Sequence, residues 1–134
     1  MSENVELVRS IYAAWEHGDF SSTEWAHPNI EFVSPDSLAL PQSVRGLGAM
    51  AEVWRDWLST WEGYGVKAEE YREVDDERIL VLVNFLGRGK TSGLELGEVR
   101  SKEANLFHVH AGKVTRLVLY ADRERAFADL GLSE

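Results

Sequence analysis

The best-placed chemical groups in the sequence lie on one long strand near its end. From Leu96 to His110 the residues alternate as a strand. Period two puts Glu103, Asn105, Phe107 and Val109 on one face, and Lys102, Ala104, Leu106, His108 and His110 on the other. If the first face looks into an apolar interior, Glu103 and Asn105 become a carboxylate and an amide among hydrocarbon side chains. A desolvated Glu103 would have a raised pKa and could act as acid or base. Its structural alternative is a place at the rim, paired with a base such as Arg100. Asn105 could donate a hydrogen bond to a carbonyl, and that role needs no shifted pKa. His108 and His110 share a face, but no helical His-x3-His spacing or carboxylate accompanies them. Polar positions on an outer sheet face suit them better than a metal site. His27, before Pro28, anchors a loop or lies near a site mouth. Asn84 interrupts Ile79-Leu-Val-Leu-Val-Asn-Phe-Leu and must bond across strands or face the interior. No serine sits in a Gly-x-Ser-x-Gly elbow. Gly87-Arg-Gly-Lys-Thr-Ser lacks the spacing and the following helix of a phosphate loop.

The elements that must position these groups follow from periodicity. Ser2 caps a helix over 3–17, whose apolar residues Val5, Leu7, Val8, Ile11, Tyr12, Ala14 and Trp15 recur at helical spacing. Ser21 or Ser22 caps a short second helix through Ala26, and Asn29 to Ser34 alternates as a strand. A loop with Pro35 and Pro41 follows. A further helix begins near Leu47 and carries Met50, Val53, Trp54, Trp57, Leu58 and Trp61, with Gly63 and Gly65 ending it. The second half reads as strands. Tyr64–Val74 is the first, and Asp75-Asp76-Glu77 is a turn. Arg78–Gly89 follows, then a hairpin around Thr91-Ser92-Gly93, the long strand and Val114–Ala121. Ala111-Gly112-Lys113 is a tight turn. Asp122 caps a closing helix, Arg123–Leu130, ended by Gly131. Helices followed by an antiparallel meander make an α+β plan.

Composition narrows the function classes. The 134 residues suit one domain spanning 1–134, with 44% hydrophobic and 28% charged residues, which disfavours disorder. A net charge of −9 without a basic cluster argues against nucleic acid and anionic membranes as partners. The absence of cysteine removes disulfides and thiolate chemistry and suits the cytoplasm. No apolar run is long enough for a membrane span, and the acidic start is unlike a secretory signal. Five tryptophans, at 15, 25, 54, 57 and 61, crowd the first half, where they suit either core filling or a pocket wall.

Five stretches in order give the chain a wider likeness. They are Tyr12-Ala-Ala-Trp-Glu-His-Gly-Asp-Phe20, His27-Pro-Asn-Ile-Glu-Phe32, Arg45-Gly46, Val109-His-Ala-Gly-Lys-Val114, and Tyr120-Ala-Asp-Arg-Glu124 running on to Gly131-Leu132. In these the whole chain resembles the SnoaL-like branch of the nuclear-transport-factor-2-like superfamily, which includes ketosteroid isomerases. The resemblance implies a cone-shaped, curved, mostly antiparallel sheet wrapped around N-terminal helices, and a homodimer formed through the outer sheet face. It also implies a cavity for a small, largely apolar molecule, without a cofactor or metal. Its wall would draw on Ile11, Trp15, Phe32, Ser34, Trp54, Phe107 and Leu119.

Carried over residue by residue, the resemblance puts Ser34 where a ketosteroid isomerase has its carboxylate base. Ile11 stands in place of the donor tyrosine, with Tyr12 about 100° round the helix. Asn105 replaces the protonated aspartate, and Trp54 the second tyrosine. The familiar isomerase mechanism therefore lacks its base. The remaining candidates for acid/base work are Glu103, Asp36 near the first strand's exit, and Asp122, where some SnoaL-like cyclases carry one. Asp36 otherwise belongs to a turn and Asp122 to a helix cap. Two functions remain open at this point: an isomerase- or cyclase-type enzyme, and a non-catalytic binding or dimerisation domain.

Overall fold

A computed structural model describes residues 3–17, 19, 24–35, 42–59, 61–89 and 98–132. Three helices, α1 (Glu3–Glu16), α2 (Leu47–Ser59) and α3 (Arg123–Leu130), flank six strands. The strands are β1 (Ala26–Val33), β2 (Ser43–Arg45), β3 (Trp61–Glu73), β4 (Arg78–Gly89), β5 (Glu98–His110) and β6 (Lys113–Tyr120). They form one mixed, unclosed sheet in the order β2-β1-β6-β5-β4-β3, in which only the β1–β6 pairing is parallel. The expected α+β architecture is what the chain adopts.

Alternation divides the strands between two apolar layers. Ile79, Val81, Val83, Phe107, Val109, Leu117, Ile30 and Phe32 face α1 and α2 and form the larger core. Leu80, Leu82, Leu106, Val118 and Tyr120 face the other way and are covered by Ala126 and Phe127 of α3. β4 is therefore buried on both sides, as its unbroken apolar sequence requires.

Local sequence explains most element ends. Glu3 and Glu6 complement the positive end of the α1 dipole. Asp122 is the α3 N-cap, accepting from Glu124 N at 3.0 Å, and Gly131 ends the helix at φ 67°. Ala111 and Gly112, both at positive φ, make the tight turn between β5 and β6.

Several expectations are corrected. Glu24 and Trp25 form a turn and Ala26 opens β1, so the stretch 24–26 is not helical; Ser21 and Ser22 lie outside the described residues, as do Ser2 and 91–93. His27-Pro28 does not end a helix but sits within β1. The β1–β6 register shifts between Ala26 and Glu31, and that irregularity accommodates a residue that cannot donate to a ladder. α2 stops at Ser59, and Trp61 begins β3 opposite Gly89 instead of extending the helical stripe. Part of the expected loop is strand β2, whose three residues pair with Glu31–Val33, too short a run to show periodicity.

Candidate functional site

The face toward the helices changes character along the strands. At one end Val109, Phe107, Leu117 and Val114 are almost wholly buried. Further along β5 and β6 two inner-face positions are less covered, while Val81, Val83 and Phe85 on β4 remain buried. Asn105 is 6% exposed, and beyond it Glu103 on β5 and Leu119 on β6 are half-buried. Partial exposure on two central strands makes this the end where the inner face of β5 and β6 is least completely covered.

The tight end is filled by aromatic rings. Trp15 meets Tyr12 at 4.9 Å, Trp54 at 5.1 Å and Trp25 at 5.9 Å between ring centroids, edge to face in each case. Phe32 lies 6.0 Å from Trp54, and Phe107 lies 5.7 Å from Tyr12. Trp57 packs instead on Phe85, further along β4.

Where the filled end meets the less covered end, one polar pair is buried. Asn105 Nδ2 donates to Tyr12 Oη at 2.5 Å, with Tyr12 wholly buried. Val5, Val8, Tyr12 and Trp15 repeat at three- and four-residue spacing, which aims Tyr12 at the sheet. The resemblance matches the donor tyrosine's position to Ile11, a wall residue without a donor, and puts Tyr12 one position off. Ile11 is buried too, but it lines an open groove of about 380 Å3 on the flank of α1. Leu7, Ser10, Ala14, Trp15, Trp25 and the turn residues Gly112 and Lys113 complete much of that groove. It contains neither Asn105 nor Glu103. The α1 stripe carries the signal for a buried Tyr12.

Register arranges further polar groups in one row. Asn105 stands opposite Leu119 on β6 and opposite Val81 on β4, and Val81 stands opposite Tyr71 on β3. On the far side, Val33 pairs with Val118, so Ser34 is level with Leu119. Ser34 shares the inward parity of Ile30 and Phe32. It is fully buried, and its hydroxyl has no hydrogen-bond partner among the described residues. Tyr71 is half-buried with Arg9 over its ring at 4.5 Å. Burial, then Glu16, raises its pKa against the opposing pull of Arg9.

The remaining candidates are placed as follows. Glu103 lies opposite Val83 on the inner face, one step past Asn105, and its backbone carbonyl accepts from Arg123 Nε at 3.1 Å. Asp122 is exposed at the α3 cap, and Asp36 lies outside the described residues. Asn84 faces outward, where its side chain bonds the Glu69 carboxylate. His108 also faces outward, half-buried; desolvation first, then Arg116 and Arg78, lowers its pKa. His27 Nδ1 accepts from Asn29 N at 3.0 Å within β1. Among the described residues no group of three His, Asp or Glu is placed to hold a metal ion, and no helix is long and apolar enough to cross a membrane.

No protein-family model and no curated protein matches the sequence. Solved structures do. An NTF2-like protein of unknown function from Burkholderia pseudomallei K96243 is 18% identical over 96% of this chain and 97% of its own, with a TM-score of 0.79. TerC, crystallised with polyporic acid, is 21% identical over 96% and 98%, at 0.76. A SnoaL-like polyketide cyclase candidate from Jannaschia sp. CCS1 is 14% identical over 98% and 93%, at 0.74. At these identities the shared property is the architecture: the chain has the NTF2-like fold of the SnoaL-like proteins.

Proposed function

We propose that this protein binds a small, largely apolar molecule on the helix-facing side of the sheet, oriented by a hydrogen bond to the Tyr12–Asn105 pair. The observation that carries the reading is a hydrogen-bonded phenol and amide buried where an apolar, aromatic-walled layer is least completely covered. A ligand pocket is expected to be mostly hydrocarbon with a few fixed polar groups, and this end of the sheet has that composition. Because Tyr12 accepts from Asn105, its own O–H can serve as a donor, and the bond polarises it for that role. Neighbouring structures named as TerC with polyporic acid, a polyketide cyclase and a hydroxylase support small-molecule binding by analogy of fold.

A catalytic version, with isomerase- or cyclase-type proton transfer, takes Glu103 as acid/base. It is favoured by that carboxylate's place one inner-face step from Asn105. Ser34 cannot supply the missing base, since a hydroxyl is far too weakly acidic and basic near neutral pH. Glu103→Gln would then abolish turnover while leaving binding in place.

Titration with para-phenylphenol, an apolar biaryl with one oxygen, tests the binding reading through the fluorescence of the inner tryptophans. Saturable quenching is expected. Tyr12→Phe and Asn105→Ala should each weaken binding about five- to tenfold, the equivalent of one neutral hydrogen bond. Equal affinity in all three proteins would remove the pair from the site.

A further inference from the structure

Ser34 is the polar group that neither the fold nor the proposed hydrogen-bonding pair uses. Its hydroxyl is closed to solvent and lacks a partner among the described residues, and a buried hydroxyl in that state is destabilising. It is level with Leu119, which is level with Asn105, so the two polar groups flank one apolar residue across three adjacent strands. Two strand spacings separate them by about 10 Å. Leu119, midway, is half-buried although it lies within the sheet.

We infer that Ser34 is a second anchor, and that the ligand is an elongated molecule with an apolar middle and an oxygen function at each end. This rests on the Tyr12–Asn105 reading and adds the far end of the ligand to it. One oxygen meets the Tyr12–Asn105 pair, the hydrocarbon lies over Leu119, and the other oxygen completes Ser34. Ser34 thus becomes a selector of ligand length and polarity. Such a ligand repays a hydroxyl left unsatisfied in the empty protein, and a ligand with oxygen at one end only leaves it unsatisfied.

Two biaryl probes separate the claims: para-phenylphenol, with one terminal oxygen, and para,para′-biphenol, with one at each end. Calorimetric titration of the wild type should show biphenol binding about five- to tenfold tighter. Ser34→Ala should abolish that advantage and leave phenylphenol affinity unchanged, while Asn105→Ala weakens both probes alike. Ser34→Ala should also raise the melting temperature of the empty protein; Ser34→Cys, closer in size, carries the same binding expectation. The inference is overturned if the probes bind equally to the wild type, if the advantage survives in Ser34→Ala, or if that variant melts lower. Phenylphenol binding that ignores Asn105→Ala, or no binding of either probe, would instead overturn the underlying reading.

Discussion

The two faces of the sheet solve the same problem differently. On the outer face, polar groups near the α3 cluster are completed by the chain itself. Arg123 donates to the carbonyls of Val83 and Glu103 and pairs with Glu69, and Tyr120 donates to Asp129 at 3.2 Å. Glu31 lies between Arg116 and Arg45 further along that face. On the inner face a phenol and an amide satisfy each other inside hydrocarbon, and the Ser34 hydroxyl has no hydrogen-bond partner among the described residues. A finished face is explained by stability. An unfinished polar row is what the proposed ligand would complete.

The contrast can be broken by mutation. The largest effect belongs to the finished face: Phe127→Ala, which empties a 5%-exposed ring site, should cost about 3 kcal/mol or more in urea unfolding. Probe affinity of the folded fraction should be unchanged, and a parallel loss of binding would mean the faces are not separate. Next in size, Tyr12→Phe and Asn105→Ala should each destabilise by roughly 1–2 kcal/mol, with a double-mutant coupling of about 1 kcal/mol. Additive losses would show that the bond contributes nothing beyond packing. The smallest effect concerns pH. The folded state holds the His108 pKa below its ordinary 6.5, so the unfolded chain takes up the proton first as pH falls. Its contribution is therefore complete above that value and is lost on acidification through it. Unfolding midpoints at about pH 7.5 and about pH 5.5 should differ less in His108→Gln than in the wild type.

Much of this arrangement was legible in the sequence. The helical stripe of α1, the Asp122 and Gly131 caps of α3 and the period-two division of β5 are local signals, and local signals survive folding. Asn105 and Glu103 were put on the same face as Phe107 by alternation alone. Tyr12 is central to the α1 stripe, but its bond to Asn105 joins residues 93 positions apart and has no local signal. Trp61 continued a helical apolar pattern, yet pairing of β3 with β4 claimed it, a tertiary choice that propensity does not record. The row Ser34–Leu119–Asn105 could not be read at all. It depends on β1 lying parallel to β6, a pairing between residues more than eighty positions apart in the chain.

The most direct test of the central claim is the side-chain amide of Asn105, observed by two-dimensional nitrogen–proton NMR during titration with para,para′-biphenol. The account predicts a saturable shift of that amide, accompanied by backbone shifts at Tyr12, Ser34 and Leu119 and none at Phe127. Saturable binding that moves the α3 face while leaving the Asn105 amide in place would contradict it.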